Sequence, residues 1–175
     1  MTLQTGMMLL AAKMPLDMMI SKMSEGMVET LKIFFLTLLF SLPLGLVIAF
    51  GRMAKNRIIR YIVTVYIAIM RGTPLMLQVM AIYFGPNYLL HIRIPRSYRF
   101  IAIIVAFALN YAAYFAEIYR SGIESMPVGQ YEAARLLGYN KAQTFFKIIL
   151  PQVIKRILPS ITNEVICLVK DTSLA

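Results

Sequence analysis

The sequence predicts an all-α fold, that of a polytopic helical membrane protein. Hydrophobic residues make up 59% of the 175 residues and charged residues only 15%, whereas about a quarter of the residues of a soluble domain are charged. The apolar residues are gathered in stretches long enough for spanning helices, and many Lys and Arg residues lie beside them. In lipid only helices and closed barrels satisfy their backbone hydrogen bonds, and runs of this length favour helices.

Composition also argues against several function classes. The net charge of +10 favours anionic lipid over nucleic acid as a partner, because the basic residues flank apolar runs. One cysteine, Cys167, and one histidine, His91, leave no basis for an internal disulfide or a cysteine- or histidine-based metal site. No segment matches the P-loop pattern G-x-x-x-x-G-K-[ST], and no catalytic constellation is evident. We therefore expect no cofactor, no metal and no enzymatic activity in this chain.

Residues 1–29 are predicted to form an amphipathic arm. The apolar run Met7–Ala12 is too short for a signal peptide, and no basic segment precedes it. Up to Lys32, three lysines are balanced by three acidic residues, and methionines are frequent. This pattern favours a helix that lies on the membrane surface.

Four spans are predicted after the arm. The first, Ile33–Phe50, has 18 residues without a charge, close to the roughly 20 that a spanning helix needs. The second covers Tyr61–Phe84 and is interrupted at Arg71–Pro74. The third is Phe100–Ala116. A fourth and weaker span, Ile157–Leu174, contains several polar and charged residues.

The basic residues of the loops predict the orientation. The loop after the first span and the segment 117–156 together carry ten Lys and Arg residues, whereas the opposite side carries six. The positive-inside rule therefore places these two segments in the cytoplasm and the N-terminus outside.

Within the second cytoplasmic segment, "GQYEAARLLGYNKAQTFFKIILP" is typical of two short helices joined at a glycine. The first is predicted over residues 130–137, with Ala133, Ala134 and Leu137 on one face of small side chains. The two alanines would let a partner approach closely. Gly138 can adopt positive φ and end this helix.

Asn140 and Gln143 resemble a capping box for the second helix of this segment, and Pro151 is expected to kink or end it. The apolar face predicted for it consists of Ala142, Phe145, Phe146 and Ile149. Two interpretations are open from the residues alone. The segment either lies on the lipid headgroups or fits a groove on a cytoplasmic partner.

Arg71 is a charge close to the centre of the second predicted span. It lies about 10 residues into that span, at ~15 Å depth, where an arginine costs roughly 2.5–3.5 kcal/mol. It should therefore face protein or water. Arg71 either ties the carbonyls of a broken helix beside Gly72 and Pro74 or contacts a substrate directly.

The fourth predicted span carries a polar stripe that is typical of a pathway or a subunit interface. Its members recur every three or four residues and are Asn163, Glu164, Cys167, Lys170 and Asp171. Gln78 of the second span is a candidate to join them.

The segment "EAARLLGYNKAQTFFKIILP" resembles the EAA signature of ABC-transporter permeases. The matching positions are Glu132, Ala133, Ala134, Gly138, Ile148, Leu150 and Pro151. Three further segments, "RGTPLMLQ", "AEIYRSGIESMPVGQ" and "VKDTSL", resemble those of the polar amino-acid permeases of the histidine, glutamine and arginine type. The likeness covers roughly residues 26–175 and has its four segments in order.

The resemblance implies a permease domain over residues 30–175 in a bacterial inner-membrane importer of polar amino acids. It implies four kinds of partner: two ATP-binding cassette subunits, a second permease subunit in a homo- or heterodimer, an extracytoplasmic solute-binding protein and the amino acid. The loop 128–151 would couple to the ATPase through Glu132, Ala133, Ala134 and Gly138. The family has five spans, so the last is expected to be missing here.

An amino acid is a zwitterion, and the polar stripe of the fourth span carries charges of both signs. We therefore hypothesise that Glu164 and Asn163 contact the substrate. Gln78, Arg71, Lys170 and Asp171 complete the predicted substrate pathway. Glu164 has a competing role, which is to hold a subunit interface or to pair with Arg71. The alternative function is a secondary transporter or channel without an ATPase partner, although no internal repeat supports it.

Overall fold

In the computed structural model, residues 15–91, 95 and 98–172 are described. Every element in these ranges is helical, which confirms the all-α class. In chain order the helices are α1 (Leu16–Arg52), α2 (Arg57–Gly72), α3 (Leu75–Leu90), α4 (Tyr98–Glu124), α5 (Val128–Leu136), α6 (Lys141–Gln143), a π-helical segment (Thr144–Ile149) and α7 (Leu150–Asp171). Residues 1–14 of the arm predicted over residues 1–29 lie outside the described residues; from Leu16 onward the chain is continuous with the first span.

Two of the described helices, α1 and α4, are long and apolar enough to cross a membrane by themselves. Helices α2 and α3 meet the same criterion only together, as a bent pair with an angle of 109°. The interruption predicted at Arg71–Pro74 is therefore confirmed, and it is a sharp bend between two helices. Thr73 is extended, as expected for a residue before proline, and Pro74 starts a new helix in another direction. Helix α7, the predicted fourth span, carries too many charges to meet this criterion.

Helix α4 is the centre of the molecule, with α1, α2, α3 and α7 packed around it. Its buried residues include Phe107, Tyr111 and Phe115 together with six alanines. Small side chains leave room for neighbouring helices to come close. Helix α1 packs most closely against α4.

Helix α1 faces α4 with one residue per turn. Its buried positions are Ile33, Thr37, Ser41, Gly45 and Ala49, each four residues after the previous one. At Gly45 the two backbones nearly touch, because a Cβ there would lie 2.8 Å from the Cβ of Phe115 and 3.1 Å from the carbonyl oxygen of Ala112. The small-residue stripe on α1 therefore sets the distance between the two long spans.

This close approach predicts opposite effects for two Gly→Ala changes in the same helix. Gly45→Ala should lower the melting temperature of the purified protein in detergent, because overpacking costs about 1–3 kcal/mol. Gly26→Ala should leave it unchanged or raise it, since nothing lies within 4 Å of a Cβ at that position and alanine favours the helix. Equal melting temperatures for both variants would contradict the contact at Gly45.

Candidate functional site

A cavity of about 650 Å³ opens at the break between α2 and α3. Helices α4 and α7 complete its wall. The lining residues are Arg71, Gly72, Thr73, Pro74, Leu75, Met76, Asn110, Tyr111, Tyr114, Glu164, Cys167 and Asp171. Three of the six residues predicted for the substrate pathway, namely Arg71, Glu164 and Asp171, are therefore brought together in one cavity.

Two of the three charged residues of the lining are supported by aromatic residues of α4. The guanidinium of Arg71 lies over the ring of Tyr114, 5.1 Å from its centre, a cation–π arrangement. The hydroxyl of Tyr111 donates a hydrogen bond of 2.7 Å to the carboxylate of Asp171. Glu164 is partly buried and makes no ion pair with another described residue. The cavity thus presents one positive and two negative side chains.

Helix α7 turns a single face to the cavity. Glu164, Cys167 and Asp171 follow one another at i, i+3 and i+7, which places them on one side of an α-helix. Asn163 and Lys170 each precede an acidic residue of this face by one position, so they point about 100° away. Both are exposed and lie outside the cavity lining. The predicted polar stripe is therefore two adjacent faces.

Gln78 also lies outside the lining, and its side chain is engaged within the protein. Its amide nitrogen donates to the carbonyl oxygens of Met70 and Thr73 at 2.9 and 3.1 Å and contacts the hydroxyl of Thr73 at 2.8 Å. Asn110 donates to the carbonyl of Met70 at 3.1 Å and to the Gln78 amide oxygen at 3.0 Å. These bonds hold the broken helix to α4.

Sequence reasoning missed Asn110, Tyr111 and Tyr114. The signal that could have found them is the asparagine itself, the only strongly polar side chain within the predicted third span "FIAIIVAFALNYAAYFA". A buried amide in lipid requires hydrogen-bond partners. Asn110 therefore marked the face of α4 that meets a polar region.

The predicted helix–glycine–helix segment follows α4. Helix α5 ends at Leu136, and Gly138, two residues later, has a φ of 77°, which confirms the predicted left-handed turn. The N–H of Tyr139 bonds the carbonyl of Ala134 at 3.0 Å, and the N–H of Gly138 bonds that of Arg135 at 3.0 Å. This pair of bonds is the Schellman pattern.

The three residues predicted to share one face of this first helix, Ala133, Ala134 and Leu137, are not all on the same side of it. Ala134 is 1% exposed and packs inward, whereas Leu136 and Leu137 are 90% and 74% exposed. Glu132 and Ala133 are exposed as well. The outer surface of α5 and its turn, which we call the α5 tip, therefore consists of Glu132, Ala133, Leu136 and Leu137.

The second half of the segment begins as predicted and then departs from the prediction. The capping box is present: the Asn140 side chain accepts from the N–H of Gln143 at 2.9 Å, and the Gln143 side chain accepts from the N–H of Asn140 at 3.0 Å. The next six residues, Thr144–Ile149, are π-helical. Pro151 does not end the helix, because it lies in the first turn of α7, where a missing N–H costs little.

The π-helical segment also changes which residues are buried. Thr144 and Ile149 are buried, whereas Phe146, predicted on the apolar face, is 64% exposed. The α-helical periodicity used for that prediction does not hold where five residues separate bonded groups. Ile149 packs with Met126, Val153 and Ile157, which fastens the segment to the end of α4.

Comparison with known proteins agrees with this geometry. The family model described as "Binding-protein-dependent transport system inner membrane component" matches residues 41–175. A putative glutamine transport system permease protein, GlnP, of Rickettsia bellii is 41% identical over 150 residues, which are 86% of this chain and 67% of the relative. The arginine transport system permease protein ArtQ of Bacillus subtilis is 40% identical with the same coverage.

Solved structures show the same relationship. The crystal structure of an amino acid ABC transporter with histidines is 36% identical, with a TM-score of 0.77 over 93% of this chain and 75% of that one. The MetNI methionine ABC transporter, at 21% identity and a TM-score of 0.63, shares the fold. These matches favour an ABC-type permease over a secondary transporter or channel and confirm the resemblance in the sequence.

The matched relatives are transport subunits, so the expectation that this chain is not an enzyme is confirmed, as is its place in the bacterial cytoplasmic membrane. The chain belongs to the binding-protein-dependent transport system inner membrane components, the permease subunits of ABC transporters.

Proposed function

We propose that the cavity at the α2–α3 break is the point where this permease holds a polar amino acid, with a preference for cationic ones. The observation that carries the proposal is the meeting of Arg71, Glu164 and Asp171 in one cavity. Its volume lies within the range of about 300–1,000 Å³ that is usual for small-molecule sites. The named amino-acid permeases among the relatives support this substrate class.

The lining offers a partner for each charged group of an amino acid. The α-carboxylate would meet Arg71 and the N-terminus of α3, where Leu75 and Met76 line the cavity and unpaired N–H groups favour anions. The α-ammonium would meet Glu164 or Asp171. The remaining carboxylate would then attract a cationic side chain, because a buried charge is stabilised by a complementary ligand.

The α5 tip is the proposed contact with the ATPase. It presents exposed apolar and acidic side chains on a segment that the loop charges place in the cytoplasm. Two ATP-binding cassette subunits, a second permease subunit and an extracytoplasmic solute-binding protein complete the proposed transporter, as the ABC-transporter relatives and the binding-protein-dependent family support. Glu132, Ala133 and Gly138 would act at this contact, whereas Ala134 would shape the segment from within.

Cys167 gives a direct test of the cavity, since it is the only cysteine of the sequence and lines the cavity. In the complete transporter, arginine should slow the reaction of Cys167 with a maleimide in a concentration-dependent way, because the bound amino acid covers the thiol. The reaction is measured on the separated permease chain. A Cys167→Ser, Gln143→Cys variant, with its thiol on the distant loop, should react at the same rate with or without arginine. If Cys167 reacts with the maleimide at the same rate with and without arginine, the cavity is not the substrate site.

Glu164→Gln should change the substrate preference. It removes one of the two negative charges of the lining, so uptake of a cationic amino acid should fall more than uptake of a neutral one, by about tenfold in relative apparent affinity. Uptake is measured for both at matched expression. An equal loss for both substrates, together with dissociation of the permease dimer in detergent, would assign Glu164 to the subunit interface.

Bulk on the α5 tip should uncouple transport without unfolding the protein. Ala133→Trp should abolish transport while insertion and melting temperature remain as in the wild type, since the side chain is exposed. Ala134→Trp, at a buried position, should instead lower the melting temperature. Gly138→Val should act like Ala134→Trp, because valine is costly at a φ of 77°. Normal transport by a stable Ala133→Trp variant would exclude the tip as the ATPase contact.

A further inference from the structure

We propose that Gln78 and Asn110 form a positioning pair, which we call the amide clamp, that fixes Arg71 in the cavity. The inference rests on the proposed function, because the position of Arg71 matters for transport only if the cavity binds a charged group of the substrate. The clamp forms hydrogen bonds to the backbone on both sides of Arg71. It thereby keeps the guanidinium of Arg71 over the ring of Tyr114 in α4. It acts on the substrate only through Arg71.

The hydrogen bonds of the clamp enclose Arg71. Both amides donate to the carbonyl oxygen of Met70, the preceding residue, at 2.9 Å from Gln78 and 3.1 Å from Asn110. Gln78 also donates to the carbonyl of Thr73, two residues after Arg71, at 3.1 Å. The bond of 3.0 Å between the two amides ties the pair together. Arg71 thus lies between two anchored carbonyl groups.

The chain at this point needs such an anchor. Helix α2 ends at Gly72 and α3 begins at Leu75 at an angle of 109°. The last carbonyl groups of a helix have no partner within that helix, and glycine allows wide backbone freedom. A carbonyl without a partner is costly away from water. The clamp supplies hydrogen bonds to the carbonyl oxygen of Met70 and at the same time restricts how the end of α2 can move.

Helix α4 carries both a residue of the clamp and the residue that contacts the guanidinium of Arg71. Asn110 and Tyr114 are four residues apart, so they lie on the same face of α4. One holds the backbone before Arg71, and the other lies beneath its guanidinium at 5.1 Å. Asn110 is only 5% exposed, so its amide is fixed by packing. Loss of the clamp would let the end of α2 shift while Tyr114 stays in place.

The same bonds argue against a direct substrate contact by Gln78. A side-chain amide has two N–H donors and one acceptor oxygen. In Gln78 the nitrogen already has three oxygen atoms of Met70 and Thr73 within 3.1 Å, and the oxygen accepts from Asn110. A substrate would have to break these bonds to reach it.

Two variants of matched shape test the clamp. Asn110→Leu and Gln78→Met keep the size of each side chain and remove the amide. In the complete transporter, each should raise the arginine concentration that half-protects Cys167 by about tenfold. The double variant should do no more than one single change, since the two amides act as a unit. In an Arg71→Gln background, neither change should have a further effect.

Tyr66→Phe is the matched control. The hydroxyl of Tyr66 donates a bond of 2.6 Å to the carbonyl of Leu109, so it also joins α2 to α4 one residue from Asn110. It does not touch the break. Its removal should leave half-protection unchanged, which separates loss of any bond between these helices from loss of the clamp.

Unchanged half-protection in both clamp variants would overturn the inference, as would an equally large effect in the Arg71→Gln background. If arginine does not protect Cys167 even in the wild type, the cavity function fails and the clamp with it. Should Asn110→Leu not accumulate in the membrane, Asn110→Ala serves in its place, because alanine removes the amide without adding a charge to the cavity that Asn110 lines.

Discussion

The close approach of α1 to α4 is the contact on which the rest of the structure depends. Gly45 leaves no room for a side chain against Phe115 and Ala112, and the stripe of small residues continues this contact along both helices. Lipid tails are as apolar as leucine, so helices in a membrane associate through dense packing rather than through hydrophobic burial. Because α4 is held in this way, its other faces can position the side chains of α2, α3 and α7 that pack against it.

Three polar residues of α4 line the cavity. Asn110, Tyr111 and Tyr114 each contact a different part of the cavity: the backbone of α2, the carboxylate of Asp171 and the guanidinium of Arg71. A buried amide or hydroxyl in lipid is expensive unless it is bonded, and the amide of Asn110 and the hydroxyl of Tyr111 are both bonded. One rigid helix therefore orients the charged groups contributed by two others.

The sequence was sufficient for the fold class, the family and most of the long helices, because length and apolar composition alone decide which segments enter a bilayer. It also predicted the turn at Gly138 and the capping box at Asn140, since both depend on neighbours in sequence. It predicted the interruption of the second span at Arg71–Pro74 but not its angle of 109°, because the bonds from Gln78 and Asn110 that hold this break join residues distant in sequence. Nor could periodicity show that Ala134 is buried and Phe146 exposed, because burial there depends on how α5 and the π-helical segment pack against each other.

The π-helical segment Thr144–Ile149 determines how α7 is rotated about its own axis, and so which of its side chains face the cavity. A turn of this kind absorbs one extra residue, and one residue of an α-helix corresponds to about 100° of rotation. If the same residues formed an ordinary α-helix, α7 would be turned by that angle relative to the capping box at Asn140. Asn163 and Lys170 would then occupy the orientation that Glu164 and Asp171 have now. A single surplus residue outside the cavity thus decides whether α7 offers the cavity two acids or an amide and a base.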